Sequence, residues 1–509
     1  MLRDKQKKIS HVLLSLFVVL TAMHMPMHAD LTTLAKNDPI PMFTTLNIDD
    51  ALLLTREQLL YKFDALSGWD YEWADKKRDH VNISISPFAQ NADRGKTIKG
   101  QKVNDIIVSA DCPTDCNLQI LDTPLGDLTG RTNMIALLYG QPSPVLVTMP
   151  VLAAASNGLF PGRVGLNDEA NIDPDQRLGF FSFPIKYRKR GLRMEGTGLI
   201  SCGVGLRIQT GFSTIRQVRQ ATINLTDTAT FEGKNIAGSD LEEVKNNVNE
   251  FLMDQLFAIA NEIDIDLCDD FVETSMEDVR FNLFWRDFFP VNEDAESSWA
   301  RFLAIPYLQV SGSFSPVKID DGRRFFAAPF GNNGHASAGL TAGVNLDFIE
   351  TIEIGGEVGF THFFKRDFCN MPVPTSEFQN NLYPFSTNVS IQPGENWHFC
   401  ARLAAYHFLD RLSMHFEWYV LDHQSDHIDV RGPLELFPAQ PSATPPVPAV
   451  VFMPEVLECQ SSFKVKLGNI ALNYDFSPNF NVGLLWQIPF SQRNAYRSST
   501  IMAGLNVTF

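Results

Sequence analysis

The amino-acid sequence predicts an all-β fold: a closed antiparallel transmembrane β-barrel of about 12–14 strands, with an N-terminal helical segment and an acidic helical loop. Three observations lead there. From Val279 onward, apolar and polar residues alternate with a period of two, which sorts them onto opposite faces of strands. The connections between these runs alternate in length, with tight turns near Ile349, Asp410 and Pro478 and long links over 318–335, 365–395, 422–462 and 491–498. Short turns at one end and long loops at the other are a barrel's signature, and a soluble sandwich has no reason to sort its loops this way. Beyond the N-terminus, no apolar run reaches the roughly 20 residues that a membrane-spanning helix needs.

Residues 1–29 read as an export signal. Arg3, Lys5, Lys7 and Lys8 precede the apolar run from Val12 to Met23, and small or turn-compatible residues follow to Ala29. Segment 30–79 begins extended and turns helical, with Leu52, Leu53, Leu59, Leu60, Phe63 and Leu66 at helical spacing. It would sit in the periplasm or plug the lumen. The barrel is expected over 80–509.

The first strand is expected at 81–89, where Val81, Ile83 and Ile85 oppose Asn82, Ser84 and Ser86. Cys112 and Cys116 follow in a polar stretch, where a local disulfide suits the spacing better than a metal site lacking a second ligand pair. The region 134–155 reads as either a hairpin or a loop, which separates twelve strands from fourteen. Strands follow at 178–188 and 199–212; in the latter, Ile200, Val204, Leu206, Ile208 and Phe212 share a face.

The acidic helical loop is an insertion over 215–278. Its helix, 239–263, carries Leu241, Val244, Val248, Phe251, Leu252 and Leu256 at i, i+3, i+4 spacing, and Ser239 with Glu242 forms a capping box. Residues 239–278 hold thirteen acidic side chains against Lys245 alone. Calcium would want Gly and Glu at the sixth and twelfth positions of a loop starting at Asp264; those are Asp269 and Ser275, so a solvated acidic face is the better reading. Divalent cations or a protein partner at this loop stay as expectations.

The later strands are clearer. Val279, Phe281, Leu283 and Trp285 form one face, and runs follow at 302–314, 337–347, 352–361, 397–406, 412–420, 463–476, 480–488 and 500–509. The apolar phase slips near Gly468 and Asn469, which suggests a β-bulge. The final stretch sets Ile501, Ala503, Leu505, Val507 and Phe509 on one face and ends on the aromatic residue.

That ending, with the export signal, resembles the Gram-negative outer-membrane β-barrels, porin-like proteins whose last strand closes the barrel and ends in Phe. The resemblance implies residence in the outer membrane, contact with its lipid, and transport. An inward face carrying Arg207, Arg280, Glu353, Glu357, Arg402, His415 and Glu417, with Lys464 and Lys466 near the outer end, is expected to line a pore. The function then expected is passive diffusion of small hydrophilic solutes. A carrier of hydrophobic molecules with an N-terminal plug is the second reading, and a surface barrel with an acidic binding loop the third.

Composition limits the rest. Net charge is −17, so a basic nucleic-acid surface is excluded. The mean hydropathy of −0.08 suits a wall that is half lipid-facing and half polar. No G-x-S-x-G, H-E-x-x-H or P-loop pattern occurs, so no enzyme and no cofactor is expected. His423, Asp426 and His427 cluster in an outer loop with metal-ligand chemistry, although plain solvated polarity is the better reading.

Overall fold

A computed structural model describes residues 81–92, short segments between 94 and 133, residues 180–224 and, from there, 257–508, with brief interruptions. The export signal, segment 30–79, Cys112 and Cys116, the region 134–155 and all of the helix 239–263 except Phe257, Ala260 and Asn261, which are helical, lie outside the described residues.

Twelve strands close into one antiparallel barrel. In chain order they are β1 (Val81–Ala92), β2 (Ile185–Ser201), β3 (Val204–Arg219), β4 (Val279–Arg286), β5 (Phe302–Phe314), β6 (Ser337–Phe348), β7 (Ile352–Phe363), β8 (Asn396–Leu409), β9 (Leu412–His423), β10 (Phe463–Ser477), β11 (Phe480–Arg493) and β12 (Ser499–Thr508). Each pairs with the next, and β12 returns to β1 with Leu505 opposite Ile85. Every barrel strand thus has two neighbours, and the fourteen-strand alternative has no seat in this circle.

The wall is inside out relative to a soluble protein. Side chains such as Ile83, Ile208, Val344, Phe399, Trp486 and Ile501 stand on the outer face and are largely exposed, while Glu353, Glu417, Asn469 and Gln487 point inward and are buried. Period-two alternation in a closed sheet allows only this arrangement if lipid lies outside and polar groups inside. Aromatic rings mark both margins of the apolar band. Phe302 meets Phe348 at the tight-turn end, with centroids 5.5 Å apart. Phe360 meets Trp397 at the loop end, 4.9 Å apart. The chain is an outer-membrane-type β-barrel protein.

Strand starts match the sequence reading closely from β4 onward, and earlier elements differ: the run expected at 178–188 is a short strand at Phe180–Ser182 followed by β2, which begins only at Ile185. The run 199–212 is not one strand: β2 ends at Ser201, and after two residues, with a turn at Gly203, β3 begins at Val204. A two-residue connection keeps the alternation in phase, so periodicity runs through it unbroken. Gly203 has φ of +77°, and a Cβ there would fall on the Arg286 carbonyl oxygen, so the turn requires glycine. The insertion is also narrower than 215–278. β3 continues to Arg219, and a strand at Phe271–Met276 pairs with its upper half before β4 takes over the lower half.

The expected bulge lies across the strand pair from where the phase slips. Lys466 faces Ser491 and Leu467 faces Pro489, so the extra residue, Phe490, belongs to β11. Proline lacks the N–H that an unbroken ladder would use, and a bulge accommodates it.

On the loop side, strands Arg366–Pro372, Ser386–Gln392 and His427–Val430 form a small sheet. Phe368, Val373, Val389, Ile391, Ile428 and Phe452 pack as its core, beside helix α1 (Pro454–Ser461). Exposed charges link its edges: Lys365 donates to Asp429, and Arg431 lies 3.3 Å from Asp367. Hydrogen bonds from Lys365 to Asp429 and from Ser390 to Asp367, followed by their cationic neighbours, lower both carboxyl pKa values. Their stabilising contribution is present above the ordinary carboxylate range and fades as pH falls through the lowered folded-state values. Amide hydrogen exchange of Ser386–Gln392, corrected for intrinsic rate, is expected to lose protection as pH falls below the ordinary aspartate range, and high salt to shrink that loss because these charges are exposed.

Candidate functional site

The inner wall is the candidate site, and the barrel register assembles it. Arg402 of β8 stands directly opposite Glu417 of β9, Glu417 opposite Asn469 of β10, and Asn469 opposite Gln487 of β11. Gln487 then faces Thr500 of β12, and Thr500 faces Gln90 of β1. Each step is also a side-chain contact. Arg402 Nη2 lies 3.4 Å from Glu417 Oε1, Asn469 Nδ2 donates to Glu417 Oε2 at 2.9 Å, and Gln487 Nε2 donates to Asn469 Oδ1 at 3.1 Å. Thr500 Oγ1 donates to Gln487 Oε1 at 3.4 Å, and Gln90 Nε2 donates to Thr500 Oγ1 at 3.2 Å. The result is a polar belt that follows the backbone hydrogen-bond direction across six consecutive strands.

Arg402 is its hub. Nη2 donates to Glu357 Oε2 at 2.5 Å, and Nη1 donates to the Tyr307 hydroxyl at 2.9 Å. Tyr307 Oη donates in turn to the same Glu357 oxygen at 2.5 Å. Tyr307 belongs to β5 and Glu357 to β7, so the phenol must cross β6. It does so over Gly343, its registered neighbour, where a Cβ would fall on the hydroxyl. A Gly343→Ala chain is expected to lose about 1–2 kcal/mol in urea unfolding as these bonds break.

The remaining wall carries its own charges. Residues 277 and 278 interrupt the strand between Met276 and Val279, and both side chains are buried. Glu277 lies 2.8 Å from Arg193 Nε and 3.0 Å from Lys189 Nζ. Asp278 faces Arg280 at 3.7 Å and accepts from the Asn332 backbone N–H at 3.0 Å. Nearby, Arg207 Nε is 3.1 Å from Glu195 Oε1. Close to the tight turns, Tyr406 donates to Glu353 at 3.0 Å and meets the His415 ring edge-on at 5.4 Å.

Of the residues expected to line a pore, Arg207, Arg280, Glu353, Glu357, Arg402, His415 and Glu417 all sit buried on the inner face. Glu357, Arg402 and Glu417 of that group touch one another. Lys464 and Lys466 do not join them, because the structure sets them on the outer face. Their inward neighbours are Phe463, Val465 and Leu467, which form an apolar patch with Cys400, Tyr419, Leu421 and Ala495. Lys464 pairs with Asp422 across the strands at 2.6 Å, and Lys466 is exposed. Alternation shows that two faces exist without saying which is inside, and β10 reverses its chemistry at Gly468. Lys189, Arg193 and Glu195 escaped the sequence reading because they fell between the strands expected at 178–188 and 199–212, and Glu277 and Asp278 because the loop insertion was expected to run to 278; Tyr307, Asn469 and Gln487 are uncharged or read as ordinary strand positions.

Metal chemistry gains little from this geometry. His423 Nδ1 is 2.6 Å from Asn396 Oδ1 and its Nε2 is 3.0 Å from Asp426, so both ring nitrogens are engaged. His427 turns away to Glu458 at 2.9 Å. Among the described residues, Glu357, Cys400 and Glu417 could converge on an ion. However, the Arg402 guanidinium already touches both carboxylates and Cys400 donates to Glu417 at 2.8 Å, so the set fits an internal cation better than a bound one.

No family model matches this sequence, and no curated protein matches it significantly. Among solved structures the chain is similar to an outer membrane channel from Pseudomonas putida F1, at 7% identity over 85% of this chain and 95% of that one, with a TM-score of 0.38. It is also similar to the transport unit of the autotransporter AIDA-I from Escherichia coli, at 8% identity, 87% and 94% coverage and a TM-score of 0.29. The NanC porin aligns at 8% identity, with 63% and 93% coverage and a TM-score of 0.27. Likeness at this level bears on no functional assignment.

Proposed function

We propose that the protein is a channel of the Gram-negative outer membrane through which small hydrophilic solutes diffuse passively. The observation that carries this reading is the state of the inward amides. Neither side-chain amide atom of Asn282, Asn473 or Gln492 meets a protein partner, although all three side chains are buried. Buried amides of this kind take their partners from water, and a wall lined with them favours a hydrated interior. Mixed charges around such an interior would orient dipolar solutes and weight ion passage. A twelve-strand circle has room for this, between side-chain-filled eight-strand barrels and the wide pores of sixteen to eighteen.

Vesicle swelling tests the reading. Liposomes carrying the full chain should swell in neutral sugars at rates that fall steeply with sugar size, and protein-free liposomes should not swell. Equal, negligible rates in both would count against diffusion. One observation favours the carrier of hydrophobic molecules: the inward apolar patch of Phe463, Val465, Leu467 and Leu421 near the loop end. That reading expects uptake of an apolar probe without sugar-driven swelling, and loss of the uptake in Val465→Asp.

A further inference from the structure

The outer face of β2 and β3 carries a group of charges that the channel reading leaves unused. Lys186, Arg188 and Arg190 occupy successive outward positions of β2, and Arg216 of β3 lies directly opposite Arg188. Like charges placed opposite each other across strands repel. Their registered neighbours are Ala89, Asn91, Thr214, Val218 and Val272, none of them acidic. Among the described residues, no ion pair or hydrogen bond joins these four cations to an acidic side chain, in a protein with an excess of 17 negative charges. Lys464, also on the outer face near the loop end, shows the alternative, because Asp422 neutralises it.

Depth decides what the counter-charge is. Below Arg190 the outward positions of β2 are Leu192, Met194, Gly196, Gly198 and Ile200, and below Arg216 on β3 stand Thr214, Phe212, Thr210 and Ile208. From Ile200 beside the tight turn to Arg190, the strand climbs ten residues. With the usual strand rise and a tilt of about 40°, that is about 25 Å, the height of the apolar band of such barrels. The four cations therefore begin where the hydrocarbon ends, at the level of the lipid headgroups on the loop side. We infer that Lys186, Arg188, Arg190 and Arg216 form a docking surface for the phosphate groups of anionic lipids in that leaflet. Arginine suits this role, since its planar fork engages two phosphate oxygens at once while its stem lies along the apolar wall.

Native mass spectrometry of the full-length barrel in zwitterionic detergent, titrated with phosphatidylglycerol, tests the inference. The wild-type chain should retain the lipid, more weakly as ionic strength rises. The triple variant Arg188→Gln, Arg190→Gln, Arg216→Gln should weaken retention about a hundredfold, from about fivefold per charge removed. The matching Arg→Lys triple variant should keep most of it, and Lys464→Gln, which removes a neutralised charge, should leave it unchanged. These are surface positions, and heat-modifiable gel mobility reports whether each variant retains the barrel. Wild-type retention in the folded glutamine variant would overturn the proposal. So would equal wild-type retention of a zwitterionic lipid, or displacement of the lipid by inorganic phosphate at matched concentration, since either would mean that an anionic headgroup held at the membrane is not what the surface selects.

Discussion

Replacing Arg402 by Met should destabilise the barrel by about 3–5 kcal/mol, the usual cost of removing one partner from a buried ion pair. The reason lies in what remains. Glu357 of β7 and Glu417 of β9 are buried on either side of β8, and Arg402 Nη2 touches both. Without it two carboxylates confront each other with Tyr307, Cys400 and Asn469 as their remaining donors. Urea unfolding from detergent micelles reads the loss directly. Adding Glu357→Gln and Glu417→Gln removes the stranded charges and should restore at least half of it. A loss below about 1 kcal/mol in Arg402→Met would mean that the belt is solvated well enough to do without its hub.

The second large effect concerns the outer face. Ile208 of β3 is 49% exposed opposite Gly196 of β2, near the middle of the apolar band, where only lipid can cover it. Ile208→Arg should cost about 2–4 kcal/mol, the penalty for an arginine at the bilayer midplane. Asn282 stands on β4 opposite Arg207, one position away in register and on the inner face. Asn282→Asp should change stability by less than about 1 kcal/mol, because the new carboxylate gains Arg207 as a partner. The contrast between adjacent rows, measured by the same unfolding assay, separates a membrane barrel from a soluble one. Similar small effects in both would contradict the assigned faces.

The fold was legible because lipid and lumen impose opposite chemistry on alternate residues. Val279 to Trp285, Ala338 to Leu346 and Leu412 to Val420 announce their strands through that alternation, and the tight turns at Asp410 and Pro478 mark where they reverse. The turn at Gly203 was hidden because a two-residue link preserves the phase. The position of Lys464 and Lys466 was hidden because alternation has no sign. Where the inner wall of β10 changes from Asn473 and Asn469 to Leu467 and Val465, the rule that polar means inward reverses, and only the closed sheet reveals it.

The candidate site was half legible. Arg402 and Glu417 share an inward phase, but nothing in the chain order brings Tyr307 to Glu357 across β6. That contact depends on the missing side chain of Gly343. Glu277 and Asp278 read as the end of an acidic loop, whereas the strand interruption turns both into the wall against Lys189, Arg193 and Arg280. Three-dimensional pairing of this kind follows from register, which periodicity alone leaves undetermined.

The claim at the centre of this account is that the inner wall encloses a water-filled path across the membrane. Single-channel recording of the full-length protein in a planar bilayer tests it most directly. The account predicts discrete current steps, with ion preference moving toward cations in Arg402→Gln as the positive hub is removed. A silent membrane with the full chain, and again with residues 1–80 removed, would contradict it and leave a barrel that spans the membrane without conducting.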